Sequence, residues 1–224
     1  MTVKKFIALT SAALAATALT ASAQVAVDVV SAYVFRGGTI NDEFNVQPGF
    51  DTTAFGGAVS VGTWANFNTD TSEFDEIDYF FGIPLPVGED SPISVEVGYC
   101  EYVYNVGGEA DREPYIAFGM GDISLGIYYG VGGLIEDSMY LELGYGTSIA
   151  VAENLGLDVS AALGYVDPDE GKSGFSHLTL SAGTAIAIPE TEYSVSVGIT
   201  YVVETDDKVL EVDEDFYFTV GTTL

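Results

Sequence analysis

The chain is poor in positive charge. Of 224 residues only six are Lys or Arg, against 34 Asp or Glu, for a formal net charge of −28. A nucleic-acid backbone needs a basic footprint, so nucleic acid is excluded as a partner. Cysteine is nearly absent as well. Cys100 stands alone, which excludes a disulfide framework and a paired-thiol zinc site, and no Cys follows the expected cleavage point to carry a lipid anchor. No segment beyond residue 23 holds 18 consecutive apolar residues, so no transmembrane helix is expected. Disorder is excluded too, because 48% hydrophobic and 12% aromatic residues are far too many.

Residues 1–23 hold Lys4 and Lys5, then an Ala/Leu-rich apolar stretch, then Ala21-Ser22-Ala23. Charged start, apolar middle and small-residue end are the parts of a signal peptide, with cleavage expected before Gln24. The remainder, residues 24–224, reads as a single domain.

Its dominant signal is period two. Twelve runs of alternating apolar and small or polar residues begin near Val25, Asn45, Gly57, Phe74, Ile93, Glu113, Ile123, Met139, Leu155, Phe175, Tyr193 and Phe216. Alternation at this period predicts strands, and no stretch carries a helical period. Connections alternate in character. Phe55-Gly56-Gly57, Gly121-Asp122 and Ala152-Glu153-Asn154 are tight, while Pro84 to Pro92 and Pro189 to Glu192 carry proline. The other set is longer and acidic: GGTINDEF, NTDTSEFD, EYVYNVGGEADRE, GGLIEDS, VDPDEGKS and ETDDKVLEVDED. Short turns on one side, long loops on the other and an even strand count predict an all-β fold, an antiparallel up-and-down transmembrane β-barrel of about 12 strands. Both chain ends then fall on the short-turn, periplasmic side of a diderm outer membrane.

The two strand faces differ sharply. One carries Val27, Val29, Tyr33 and Phe35; Val59, Val61 and Phe67; Val95, Val97 and Tyr99; Leu141, Leu143 and Tyr145; Val195, Val197, Ile199 and Tyr201. The other carries Gly, Ser, Thr, Asn and acid. Seven strand acids, Asp28, Asp51, Glu76, Asp78, Glu96, Glu142 and Asp158, all share that polar face. A charge on the lipid face at mid-depth costs about 2–4 kcal/mol, whereas a wet lumen tolerates it. Asp75 and Glu101 share the apolar parity and are expected beyond the membrane edge. Aromatics at strand ends (Phe35, Phe67, Tyr99, Tyr165, Tyr201) fit an interfacial girdle.

The string Ser31-Ala32-Tyr33-Val34-Phe35-Arg36-Gly37 closes the first expected strand. It resembles the S-x-Y-x-F-R-G opening of the TorF-like family of exported proteobacterial proteins. Gln47-Pro48-Gly49-Phe50-Asp51, Gly62-Thr63-Trp64-Ala65-Asn66 and Glu76-Ile77-Asp78-Tyr79 fit the same pattern. The likeness covers residues 27–105, and its last strand, Phe216 to Leu224, resembles the terminal signal read by barrel assembly machinery. The resemblance implies an outer-membrane barrel and no established substrate.

Arg36 is the one base expected in or at the edge of the strands, near Asp51, Glu76 or Asp78. Two roles fit it: a charged constriction, or a salt-bridge network that fixes and plugs the wall. Lumen candidates are therefore Asp28, Arg36, Asp51, Trp64, Glu76, Asp78, Glu96, Glu142, Asp158 and His177. Inward Gly62, Gly98, Gly126, Gly144, Ser160, Gly164 and Gly198 argue for free space; Trp64, Tyr102, Tyr128, Tyr140 and Tyr217 argue for a narrow one. His177, read as inward on the Phe175/Thr179 side, lacks a catalytic constellation, and no catalytic residue, cofactor or resident metal is expected. Acid clusters such as Asp167-Pro168-Asp169-Glu170, Asp206-Asp207 and Asp213-Glu214-Asp215 match no calcium loop. They read as solvated loops, able to meet anionic glycolipid through divalent cations. The expected function is a narrow, cation-leaning channel for ions or small solutes; the alternative is a closed barrel with a structural, adhesive or surface-charge role. Lipid and the assembly machinery are the expected partners.

Overall fold

The computed structural model describes residues 23–88, 90–105, 107–152, 155–191, 193–210 and 215–223. The expected signal peptide lies outside the described residues except for Ala23, as do Glu153, Asn154, Glu192, Asp213, Glu214 and Leu224.

Among the described residues, twelve strands close into one barrel: β1 (Gln24–Val30), β4 (Asn45–Ala54), β5 (Val59–Asn68), β6 (Glu73–Leu85), β7 (Ile93–Tyr104), β8 (Asp111–Met120), β9 (Ile123–Tyr129), β10 (Met139–Ala152), β11 (Leu155–Asp167), β12 (Gly174–Ala187), β13 (Ser194–Glu204) and β14 (Phe216–Thr223). Two short strands, β2 (Tyr33–Phe35) and β3 (Gly38–Asn41), pair with each other and stand apart from the wall. Every wall pairing is antiparallel, and all but the closing β1–β14 pair join strands that follow one another along the wall. Closure comes from β1, which pairs with β4 through Val30↔Asn45 and with β14 through Asp28↔Gly221. A closed ring leaves no unpaired strand edge, which a lipid phase demands.

Strand starts fall within two residues of the alternation pattern, because the pleat that alternates the faces is the same pleat that pairs the strands. The tight connections, among them 55–58 and 121–122, share one end of the barrel. The opposite, loop end carries 31–44, 107–110, 130–138, 168–173 and 205–210. One loop is shorter than expected: residues 69–72 make a tight turn, tied by Asn68 Oδ1 accepting from the backbone N–H groups of Asp70 and Thr71.

The outer face is apolar and exposed. Val197, Leu143 and Phe218 present 43, 50 and 55% of their surface outward. Left to water, each large side chain would forfeit about 1.5–3 kcal/mol of burial; against lipid tails it forfeits nothing. Near the loop end, aromatic pairs bridge neighbouring strands: Phe67–Phe74 at 5.2 Å, Tyr165–Phe175 at 5.6 Å and Tyr201–Phe216 at 4.6 Å between ring centroids. Such cross-strand pairs stabilise a sheet and sit where a girdle belongs.

Three face expectations are corrected. Tyr33 and Phe35 do not continue the outer face of β1, since both belong to the separate β2–β3 hairpin. Asp75 turns inward rather than lying beyond the edge. Between Asn66↔Glu76 and Phe67↔Phe74 the register shifts, so Asp75 is the extra residue of a bulge, and its carboxylate accepts from inward Asn66 at 2.7 Å. A second register shift, opposite Gly164 and Tyr165, separates Phe175 from His177. Phe175 therefore faces out while Ser176 and His177 are fully buried.

Candidate functional site: the lumen and its inward hairpin

After Val30 the chain leaves the wall and turns into the barrel. Arg36 and Gly37 form the two-residue tip, with φ of 50° and 82°. Positive φ at both central residues is the geometry of a tight hairpin turn that matches strand twist. The hairpin's partners come from strands all round the ring. The Tyr33 ring lies 5.5 Å from Trp64 on β5, and its hydroxyl donates to Glu76 on β6 at 2.6 Å. Phe35 meets Tyr102 on β7 edge-on at 5.6 Å. Thr39 shares a 2.9 Å hydrogen bond with Tyr217 on β14. Gly37 lies against the His177 ring on β12, where any Cβ would collide with it. Only a segment inside the barrel reaches all of these, so the hairpin fills the loop-end half of the lumen.

Its tip is locked electrostatically. Arg36 donates Nη1 to Glu113 Oε1 at 2.8 Å and Nη2 to Oε2 at 2.6 Å, a two-pronged pair on β8. The guanidinium carbon also lies 4.1, 4.8 and 4.9 Å from the ring centres of Tyr140, Phe35 and Tyr128. The expected neighbours Asp51, Glu76 and Asp78 are therefore not its partners, because the turn carries Arg36 across the lumen. Sequence reasoning left Glu113 among the loop acids. Its shared parity with inward Tyr115 and Ala117 was the available signal.

Phenols meet several of the inward carboxylates, Glu113 included. Tyr115 donates to Glu96 at 2.8 Å, Tyr140 to Glu142 at 2.8 Å, Tyr102 to Glu113 at 2.9 Å and Tyr104 to Asp111 at 2.9 Å. A phenol satisfies a carboxylate's hydrogen bonding without cancelling its charge. Asp78 lies beside Glu76 and keeps one oxygen without a partner. His177 is fully buried, parallel to the Tyr140 ring at 6.3 Å, with Nδ1 3.0 Å from Ser176 Oγ and Nε2 unpartnered. The inward glycines expected to leave space mostly seat rings instead: a Cβ at Gly62, Gly98, Gly126 or Gly164 would strike Phe80, Tyr115, Tyr128 or His177.

The turn-end half differs. There the inward positions are mostly serines and glycines, joined by Phe80 and by Asp28, Asp51, Glu96 and Asp158. Asp51, Ser148 and Ser160 are exposed. Asp28 occupies the space left by Gly221, and Asp158 accepts from Ser148. The lumen thus has a water-accessible acidic vestibule at one end and a hairpin-filled, tyrosine-rich zone at the other.

An apolar exterior around a polar, acid-rich interior defines a barrel of the outer-membrane type. The chain belongs to a family of bacterial proteins of unknown function, Gcw_chp, whose model matches residues 12–223. Comparison with curated proteins finds no match. Among solved structures, the fold is similar to that of the NanC porin, at 10% identity and a TM-score of 0.55, covering 91% of this chain and 99% of the porin. It is also similar to a membrane protein crystallised in meso, at 10% identity and a TM-score of 0.51, covering 90% of this chain and 83% of the other. At these identities the likeness is one of fold.

Proposed function

We propose that the protein is an outer-membrane channel, narrow and cation-leaning, for ions or small solutes, with its loop end throttled by the inward hairpin. The observation that carries this reading is the charge of the lumen. Its one hairpin base, Arg36, is committed to Glu113, while Asp28, Asp51, Glu76, Asp78, Glu96, Glu142 and Asp158 face inward and, among the described residues, bond to no Lys or Arg. A lumen so lined draws cations and repels anions. The water-accessible vestibule gives them room, and a similar fold serves a porin. The export signal expected at residues 1–23, the resemblance of residues 27–105 to the TorF-like pattern and the girdle support an outer-membrane address, with lipid and assembly machinery as partners and divalent ions at the acidic loops. A closed barrel is the second reading, favoured by the rings and hairpin packed across the loop-end half.

Reversal potentials in a planar bilayer under a KCl gradient test the proposal. Discrete steps with a cation-selective potential support it, and Asp51→Asn with Asp158→Asn should then move the potential toward zero. An inserted, folded barrel that gives no steps would leave the closed barrel standing.

A further inference from the structure

A cavity of about 220 Å³ lies at the loop end, between the hairpin and wall strands β6 and β7. Tyr33 and Phe35 line it from the hairpin, Tyr104 from β7, and Asp75 and Glu76 from β6. Its rim includes Ile40 and Asn105, both exposed, so it is reachable from the loop side.

Two independent features set this cavity apart. The first is the bulge on β6. Consecutive strand residues normally point to opposite faces, yet here the shift between Phe67↔Phe74 and Asn66↔Glu76 brings Asp75 to the lumen side beside Glu76. Asp75 is held there by Asn66 at 2.7 Å and by Asn41 of the hairpin at 3.4 Å, while Glu76 accepts from Tyr33. The second is charge left uncompensated. Among the described residues no Lys or Arg bonds to Asp75 or Glu76; Arg36 is engaged with Glu113, and Arg112 with Glu109. Asp111, bonded by the Tyr104 hydroxyl, adds a third carboxylate behind that ring.

We propose that this cavity binds a small organic cation carrying a primary or quaternary ammonium group. Aromatic rings set beside carboxylates are the surroundings such a group prefers, since ring faces and carboxylate oxygens both attract it. The volume is below that of drug-sized pockets, which fits a compact ligand. A bare divalent ion suits it poorly, because such ions take six or more oxygen ligands and much of this wall is ring carbon. The inference goes beyond the channel reading: it needs neither a continuous lumen nor transport, and it is read by binding alone.

The test uses the refolded chain in detergent micelles. Trp64 is the single tryptophan and lies 5.5 Å from the Tyr33 ring, so its fluorescence reports on the cavity wall. Choline should give a saturable change, matched by calorimetry. Its uncharged isostere, 3,3-dimethylbutan-1-ol, should bind about tenfold more weakly, a comparison that needs no variant. Glu76→Gln should weaken choline by about tenfold as well, and Tyr104→Leu by a few-fold. Equal binding of the alcohol, a saturable response to calcium chloride but not to choline, or flat titrations by both methods would overturn the proposal.

Discussion

The two halves of the lumen share one wall and one strand pattern, yet they are built by different rules. At the loop end most inward polar groups pair with one another: Glu113 grips Arg36, tyrosines cap Glu76, Glu113 and Glu142, and glycines seat aromatic rings. At the turn end most inward residues are small, Phe80 and Glu96 aside, and Asp51, Ser148 and Ser160 meet water. The same alternation therefore encodes a packed polar core in one half and a vestibule in the other. What separates them is a single segment, the β2–β3 hairpin, which pairs with no wall strand.

Breaking the lock should have the largest effect. Glu113→Ala leaves the Arg36 cation buried among rings, and removing one partner of a buried pair costs about 3–5 kcal/mol. Faster proteolysis within residues 31–44 and a lower urea midpoint for unfolding are the expected outcomes. The double substitution Arg36→Met with Glu113→Leu should restore most of the loss, since no unpaired charge remains; persistence of the full loss would argue against the lock.

One substitution type placed in both halves sharpens the contrast. Gly37→Ala and Gly56→Ala both force alanine to positive φ, at about 1–2 kcal/mol. At Gly37 the new methyl also strikes the His177 ring, whereas nothing lies within 4 Å at Gly56. Gly37→Ala should therefore destabilise by about 1–3 kcal/mol more, visible in paired urea titrations; equal losses would mean that the tip is not seated on His177.

Neutralising the vestibule should barely touch stability. Asp51→Asn is expected to change it by under about 0.5 kcal/mol while lowering cation selectivity in bilayer recordings. Smallest of all is the effect of the exposed pair outside the lumen, Lys172 and Asp206. Hydrogen bonding from Lys172, then from the Lys208 backbone, holds the Asp206 pKa below its usual value. Its contribution is present above the ordinary carboxylate pKa and is lost as pH falls through the lowered one. Lys172→Ala should remove that contribution, so melting curves at successive pH values should show a marginal loss at neutral pH that vanishes as the pH falls below the lowered pKa.

The wall was legible in the sequence because period two and lipid exposure impose the same pattern on every strand. Leu143, Val197 and Phe218 declare their face locally. The hairpin was not legible, for a physical reason: Tyr33 and Phe35 keep the alternation of Val27 and Val29, and nothing local distinguishes a strand in the wall from one inside it. The difference lies in partners remote in sequence, Glu113 and His177 above all. The two bulges were hidden in the same way. Each adds one residue to a strand, so parity fails for Asp75 and Phe175 while holding for their neighbours. Glu96, Glu142 and Trp64 were legible as inward because each sits in unbroken alternation, and Glu76 because the alternation resumes with it after the bulge.

The central claim is that the hairpin, rather than the wall, limits passage through an acidic lumen. The most direct measurement compares single-channel conductance of the intact chain with that of a chain whose residues 32–43 are replaced by a short glycine-serine turn, both recorded in the same bilayer. Conductance severalfold larger in the shortened chain, with cation selectivity retained, is the expected result. Unchanged conductance from a folded, inserted shortened barrel, or loss of cation selectivity with the hairpin, would contradict it.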